Sequence, residues 1–230
     1  MTWLQHFKRL LINCRIRPPR LLEALVQQLK FGEWARSANL QVAPTFLERF
    51  DLYAYIQRDV LRNAPLDYLE FGVYKGSSIR SWTQLNTRTE SRFWGFDSFE
   101  GLPEPWTAIT STLSKGAFST HGMLPDLADS RVQFVKGYFQ QTLEPFASSF
   151  TPRNRLLLHL DADLYTSTMV VLSVLNKFIV PGSILIFDEF SFVTGEFRAF
   201  IDYSASFQKR FRILACAGDF YRQVAFEATP

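Results

Sequence analysis

The chain has 230 residues, a formal net charge of +3 and 47% hydrophobic residues. This length and composition allow one substantial core, and no linker, low-complexity tract or internal repeat divides the sequence. Its basic residues are spread along the chain, so we expect no nucleic-acid partner. The sequence contains no run of about 18 apolar residues, so we predict no membrane span. The absence of an apolar leader predicts a cytoplasmic protein, and Cys14 and Cys216 lack metal-ligand spacing.

The first third of the chain predicts helices. Apolar residues between Trp3 and Leu11 recur at helical spacing among basic residues, and Pro18-Pro19 would end that helix. The segment Leu21 to Phe31 predicts a second helix that ends near Gly32, and Phe50 to Leu61 predicts a third.

The stretch Asp67 to Leu102, DYLEFGVYKGSSIRSWTQLNTRTESRFWGFDSFEGL, predicts a strand, a glycine turn, a helix and a second strand. Gly72 and Gly76 form the turn, and a helix that starts after it presents backbone N–H groups to an anionic or electron-rich ligand. Asp97 ends the second strand, roughly 20 residues beyond the glycines, where a carboxylate suits a ribose diol. The pattern indicates a nucleoside-cofactor site.

The spacing of the glycines bears on which cofactor binds. Gly72 and Gly76 form G-x-x-x-G, and not the G-x-G-x-x-G that is typical of dinucleotide sites. Glu70 would repel a pyrophosphate but could accept hydrogen bonds from an ammonium group. An amino acid joined to a nucleoside therefore fits better than a dinucleotide, which favours S-adenosylmethionine. A nicotinamide cofactor and a ligand-free strand–turn–helix corner remain the alternatives.

Two apolar strands in the second half, in RLLLHLDADLY and SILIFDEF, each end in acidic residues. Continuous apolar runs are typical of parallel strands covered on both faces. Asp161 and Asp163 follow the first strand, and Asp188 and Glu189 follow the second. Carboxylates crowded at neighbouring strand ends repel one another unless a cation neutralises them, and Mg²⁺ prefers such oxygen ligands. The alternative is that these acids cap the helices that follow.

Several motifs together resemble one family. LEFGVYKGSS, FWGFDSFEGLP, VQFVKGYFQQTL, LLLHLDADLYTST, PGSILIFDEF and GEFRAFIDY are similar to motifs of the macrocin O-methyltransferase family, and the resemblance runs from about Tyr68 to the end. It implies a class I S-adenosylmethionine-dependent, Mg²⁺-assisted O-methyltransferase that acts on sugars or natural products. The implied fold is α/β and Rossmann-like, a seven-stranded, mostly parallel sheet with an antiparallel last strand in Tyr221 to Phe226.

The resemblance also implies roles for individual residues. The methionine end of the cofactor would contact the turn residues Glu70, Gly72, Gly76, Ser77 and Ser78. Its ribose would contact Asp97 and Ser98, and its adenine would contact Gly137 and Tyr138. The metal ligands would be Asp161, Asp188 and Glu189. Family members usually carry two adjacent aspartates at the second strand end, so Asp188-Glu189 is a departure. That departure supports a further alternative, a non-catalytic binding protein that keeps the fold.

The catalytic residues that we predict are Asp161, through the metal, and His121 as a general base. His121 lies in the polar stretch SKGAFSTHGMLPDLADS, and the alternative is an exposed histidine without a role. His159 shares a strand face with Asp161 and is better interpreted as a hydrogen-bonded core histidine. The loop Glu104 to Asp129 would select the hydroxylated acceptor.

The resemblance divides the chain into two parts. Residues 1–60 form an N-terminal helical segment that covers the acceptor site or builds a homo-oligomer, and residues 61–230 form the S-adenosylmethionine-binding domain. Removing residues 1–45 should then lower turnover more than cofactor affinity. The alternative for the first helix, which is basic and amphipathic, is attachment to a membrane surface.

Overall fold

The computed structural model describes residues 2–14, 20–107 and 112–230. The helices in chain order are α1 (Trp3–Asn13), α2 (Arg20–Ser37), α3 (Arg49–Tyr55), α4 (Ser77–Leu85), α5 (Phe139–Ser149), α6 (Tyr165–Val174) and α7 (Glu196–Ser206). The strands are β1 (Thr45–Phe46), β2 (Leu66–Phe71), β3 (Arg92–Asp97), β4 (Trp106–Thr107), β5 (Thr112–Leu113), β6 (Val132–Lys136), β7 (Arg155–Leu160), β8 (Ile184–Phe187), β9 (Arg210–Ala217) and β10 (Gln223–Thr229).

An eight-stranded sheet in the order β1-β9-β10-β8-β7-β2-β3-β6 forms the centre of the protein, and β4 pairs with β5 as a separate hairpin. The neighbours from β8 through β7, β2 and β3 to β6 are parallel. The chain runs outward from β2 to β3 and β6 and then returns to β7 on the other side of β2. The carboxyl ends of β2 and β7 therefore flank the point where the strand order reverses, which is where open α/β sheets bind ligands.

The predicted antiparallel strand is confirmed in β10, which lies between β8 and β9 and runs against both. Seven long strands form the predicted sheet, and the eighth, β1, adds only Thr45 and Phe46 beside Cys216 and Ala217 at the edge. All residues of β2 are buried, because helices cover both faces of a parallel sheet.

One predicted helix boundary was wrong. Helix α2 does not end near Gly32 but continues to Ser37. The ring of Trp34 lies 5.3 Å from that of Phe190, and the ring of Phe31 lies 5.1 Å from that of Phe197. These contacts outweigh the cost of about 1 kcal/mol for a glycine inside a helix. The third helix, predicted for Phe50 to Leu61, is confirmed as α3 and a π-helical turn at Ile56–Val60 that continues it. The predicted stop at Pro18-Pro19 lies outside the described residues.

The two faces of the sheet carry different cores. One face is an aromatic cluster that includes Phe187, Phe190, Phe197, Phe200 and Phe226. On the other face, α3, the π-helical turn Ile56–Val60 and α4 pack on the strands. This cluster includes Tyr53 of α3, Tyr68 of β2 and Trp82 of α4. Tyrosine hydroxyls need a partner when they are buried, so this second face also carries polar groups.

The N-terminal helix differs from the rest of the fold. Helix α1 has no buried residue, and Trp3, Leu10 and Ile12 are largely exposed. By contrast, β1 belongs to the central sheet, and Leu52, Tyr53 and the following turn belong to its core. Within the described residues, no helix is both long and apolar enough to cross a membrane.

Candidate active site

A pocket of about 270 Å³ opens at the carboxyl ends of the parallel strands. Ten of the predicted site residues line it: Gly72, Ser77, Ser78, Asp97, Ser98, Gly137, Tyr138, Asp161, Asp188 and Glu189. Three other predicted residues, Glu70, Gly76 and His121, are not among its lining residues. The strand ends thus bring most of the predicted site together from segments that are far apart in sequence.

The end of β2 requires glycine because two strand ends meet there. Gly72 has φ +96°, and a Cβ at this position would lie 1.9 Å from the backbone oxygen of Asp161. The N–H of Asp161 in turn donates to the carbonyl of Phe71 at 2.9 Å. A side chain at residue 72 would therefore separate the predicted methionine-binding turn from the predicted metal-binding aspartate.

Asp97 orders the turn that precedes α4. Its Oδ2 accepts hydrogen bonds of 2.8 Å from the backbone N–H groups of Val73 and Tyr74, and its Oδ1 accepts one of 2.7 Å from Phe99. A carboxylate has about four acceptor positions. One position, on Oδ1, is therefore left for a ligand hydroxyl.

Glu70 and Gly76 lie outside the pocket lining, and their contact with the cofactor stays a prediction. Glu70 is buried beneath the pocket, where it accepts a hydrogen bond from the hydroxyl of Tyr68. Alternation along β2 explains this, because residues 68 and 70 point to the same face. Gly76 precedes α4 with φ +76°, and a Cβ there would lie 2.9 Å from Pro125. The structure therefore does not bring either residue into the pocket lining.

His159 is the centre of a buried polar network below the pocket. Its Nδ1 lies 2.7 Å from the hydroxyl of Tyr68, and its Nε2 lies 3.2 Å from the hydroxyl of Tyr53. Burial alone would lower its pKa, but hydrogen bonds to Asp188 and then to Glu70 raise the pKa of His159 to about 9. A protonated His159 lies between two carboxylates and balances their charge, in agreement with its interpretation as a hydrogen-bonded core residue.

Acidic side chains dominate the wall of the pocket at the ends of β7 and β8. Burial, followed by the charges of Asp188 and Asp163, raises the pKa of Asp161 well above its usual range. Burial and then the charge of Glu189 raise the pKa of Asp163 to about 7. Burial would also raise the pKa of Asp188, but His159 and then Arg49 lower it. Ionising all of these carboxyl groups together is therefore unfavourable, and a cation beside them would reduce that cost.

Arg49, the first residue of α3, faces two of these carboxylates. Its Nη1 lies 3.0 Å from Oδ2 of Asp188 and 4.0 Å from Oδ2 of Asp161. Tyr53, one turn later, donates from its hydroxyl to Oδ1 of Asp188 at 3.2 Å. Helix α3 thus places two partners on the same carboxylate.

Glu196 connects the two strand ends from below. It is fully buried. Its Oε1 accepts a hydrogen bond of 3.2 Å from the N–H of Ala162, and its Oε2 accepts one of 3.0 Å from the N–H of Glu189. Burial first, and then the charge of Asp161, raise the pKa of Glu196 well above its usual range. It holds the backbone of both acidic segments.

The predicted general base lies away from this arrangement. His121 is exposed, has φ +53°, and uses its backbone N–H to donate to Ser119 Oγ at 3.0 Å. The geometry gives no support to its catalytic role, which stays a prediction.

Sequence reasoning missed Arg49, Tyr53 and Glu196. Arg49 and Tyr53 are four residues apart, so they share one face of a helix, and that face could have been recognised as polar. Glu196 lies in GEFRAFIDY, a motif of the family resemblance, but its contacts depend on the tertiary fold.

Comparison with known proteins shows the family. The sequence profile of the macrocin-O-methyltransferase (TylF) family matches residues 41–212. The chain belongs to the macrocin O-methyltransferase family. Membership of this methyltransferase family supports S-adenosylmethionine as the cofactor, and the predicted family is confirmed.

Individual relatives agree with this. The 8-demethyl-8-(2,3-dimethoxy-alpha-L-rhamnosyl)-tetracenomycin-C 4'-O-methyltransferase of Streptomyces olivaceus is 31% identical over 182 residues, covering 69% of this chain and 65% of its own. The mycinamicin III 3''-O-methyltransferase of Micromonospora griseorubida is 27% identical over 218 residues, 82% of each chain. The match thus spans less than two thirds of the length of the Streptomyces relative.

A solved structure confirms the fold. The calicheamicin methyltransferase CalS11 has a TM-score of 0.60 at 21% identity, with 97% of this chain and 90% of that chain covered. The Rossmann-like class I methyltransferase fold predicted from the sequence is therefore correct.

Proposed function

We propose that this protein transfers a methyl group from S-adenosylmethionine to a hydroxyl group of a sugar, or of another small natural-product metabolite. One observation carries the proposal: a single pocket unites the strand-end residues predicted for the cofactor with the carboxylates predicted for the reacting hydroxyl. The name of the Streptomyces relative includes a rhamnosyl group, which supports a sugar as the acceptor.

The residues of the pocket fit the cofactor chemically. Gly72 allows close approach to the end of β2, and the free acceptor position on Asp97 suits a ribose hydroxyl. Gly137 and Tyr138 form the wall that we assign to adenine. A sulfonium and an ammonium group both carry positive charge, which the acidic wall complements. The sulfonium methyl group is already activated, so the chain has to align it with the acceptor, which contributes several kcal/mol.

Mg²⁺ is part of the proposal, with Asp161, Asp188 and Glu189 as the side chains that would hold it. Carboxylate oxygens are the ligands that Mg²⁺ prefers, and all three residues line the pocket. The cation would lower the pKa of the acceptor hydroxyl. In residues 2–14, 20–107 and 112–230, no three His, Cys, Asp or Glu side chains form a ready-made metal site, and Arg49 pairs with Asp188.

The catalytic role that we retain is that of Asp161, which faces the pocket from the end of β7. His159, Tyr53 and Glu196 touch neither reactant in this proposal. They fix Asp188 and the backbone beside Asp161, so they are positioning residues.

We also propose the division of the chain into residues 1–60, a helical segment for covering the acceptor or for homo-oligomer contacts, and residues 61–230, the methyltransferase domain. The last part of the first segment, with β1 and α3, also packs on the sheet of that domain. The exposed apolar side chains of α1 support a covering or oligomeric role. The predicted cytoplasmic location stays a prediction.

The test is transfer of a deuterated methyl group from S-adenosylmethionine to a panel of nucleotide-linked and glycosidic deoxysugars, followed by mass spectrometry. We expect one labelled methyl group on a sugar oxygen, loss of the reaction with EDTA, and recovery with Mg²⁺. Full activity in EDTA would exclude the metal but keep the transferase. Binding of NADH without S-adenosylhomocysteine would revive the oxidoreductase. Cofactor binding without transfer to any acceptor of the panel would favour the non-catalytic alternative.

A further inference from the structure

The charges that line the pocket are unequal. Five carboxylates line it, from Asp97, Asp161, Asp163, Asp188 and Glu189, whereas Arg49 is the one lysine or arginine among the described lining residues. This suits the positive groups of the proposed cofactor. It does not suit its α-carboxylate, which the ionised carboxylates among them repel unless a cation stands beside it.

Arg49 reaches two parts of the pocket at once. Through Nη1 it donates to Asp188, and through Nη2 it donates to Ser77 Oγ at 3.2 Å. Ser77 is the first residue of α4 and belongs to the turn that we assign to the methionine end. The guanidinium thus already lies between the acidic wall and the methionine-binding turn.

The chemistry of the side chain is matched to a carboxylate. An arginine presents several N–H donors in a planar fork, and arginine–carboxylate hydrogen bonds are among the stronger ones in proteins. Its side chain is 28% exposed, so part of the guanidinium is accessible to a ligand. Tyr53 and His159 also bind Asp188, so Asp188 keeps partners when Arg49 makes a further contact.

We propose that Arg49 binds the α-carboxylate of the methionine end of the cofactor and so selects an amino-acid-bearing nucleoside. This inference rests on the proposed function and adds to it a residue that sets cofactor specificity. Two consequences follow: the wild-type protein prefers a ligand with the carboxylate to one without it, and this preference depends on Arg49.

Calorimetric titration can isolate the carboxylate. The ligands are S-adenosylhomocysteine and S-adenosyl-3-thiopropylamine, which keeps the adenosine, the thioether and the ammonium group but lacks the carboxylate. The proteins are the wild type, Arg49→Gln and Arg49→Lys, each with Mg²⁺ and with EDTA. Arg58→Gln is the matched control. It also removes one positive charge, but Arg58 lies in the π-helical turn that follows α3 and its side chain is exposed.

We expect Arg49→Gln to weaken S-adenosylhomocysteine by about 10- to 100-fold, the range for a lost hydrogen bond to a charged group. Binding of the decarboxylated compound should change less than about 3-fold, Arg49→Lys should recover part of the loss, and Arg58→Gln should change neither. The decarboxylated compound also reports whether the variant is folded.

Two results would overturn this inference and leave the proposed function intact. An equal loss for both ligands would make Arg49 a structural partner of Asp188, and unchanged affinity for both would remove it from cofactor binding. If the wild-type protein binds neither ligand, the proposed function itself fails.

Discussion

The two faces of the central sheet use the same kind of residue for different purposes. On one face, Phe200 stacks on Phe226 with ring centroids 4.4 Å apart, and the surrounding contacts are also aromatic. On the other face, Tyr53 and Tyr68 also pack on aromatic rings, but their hydroxyls bind His159. Both faces can therefore contribute to stability, whereas the tyrosine hydroxyls, which hold His159 and the side chain of Asp188, lie on one face only.

The largest effect should come from Gly72, where the polar face meets the pocket. Gly72→Ala places a Cβ against the Asp161 carbonyl in a positive-φ conformation, and we expect a loss of about 3 kcal/mol or more in the free energy of unfolding. Gly182→Ala is the matched control, because Gly182 has φ +94° and no atom within 4 Å of the added Cβ; it should cost about 1 kcal/mol. Urea denaturation measures both, and equal losses would contradict the close approach.

Asp161 should separate catalysis from cofactor binding. We expect Asp161→Asn to lower turnover by about 10²- to 10³-fold, a range typical for loss of a group that stabilises the transition state. S-adenosylhomocysteine affinity should stay within about 3-fold of the wild type. Asp59→Asn serves as the control, because it makes the same chemical change at a partly exposed side chain far from Asp161 in the sequence. Turnover that survives the change would remove Asp161 from the mechanism.

A matched pair of substitutions tests the difference between the faces. Tyr68→Phe removes the hydroxyl between His159 and Glu70, and Phe200→Leu removes a ring from the aromatic cluster. Each should cost about 1–3 kcal/mol of stability. Turnover per folded molecule should fall only in Tyr68→Phe, because only that face fixes Asp188. A similar fall in turnover in Phe200→Leu would contradict this difference between the two faces.

The smallest effect on the core should follow removal of α1. Deletion of residues 1–45 would also remove Leu40, which is fully buried, and Thr45 of β1, so deletion of residues 1–19 is the cleaner change. Because α1 has no buried residue, the melting temperature should shift by less than about 2 °C. Turnover or oligomeric state should change more than S-adenosylhomocysteine affinity. Equal losses of turnover and affinity would contradict a covering or oligomeric role.

The sequence predicted the strand–turn–helix–strand unit because its signals are local. Gly72 and Gly76 mark the turn, Asp97 ends the next strand, and continuous apolar runs identify β7 and β8. Parallel strands then bring Asp161 and Asp188 to one edge by geometry alone.

Other parts of the site depend on contacts across the fold. Arg49 meets Asp188 across 139 positions of the chain, and Glu196 binds backbone groups of two different loops. Glu70 looked like a pocket residue from its place before the turn, but the alternation of β2 directs it to Tyr68 and His159. Such partners carry no local sequence pattern.

The most direct test of the central claim is thermal denaturation with S-adenosylhomocysteine, S-adenosylmethionine and NADH, each with Mg²⁺ and with a chelator. A ligand at about 100 times its dissociation constant adds ~2.7 kcal/mol of stability, which for this chain length corresponds to a rise of roughly 5 to 10 °C. The account predicts this rise with the two adenosyl compounds and none with NADH. A rise in melting temperature with NADH alone would contradict the account, and so would the absence of a rise with all three ligands.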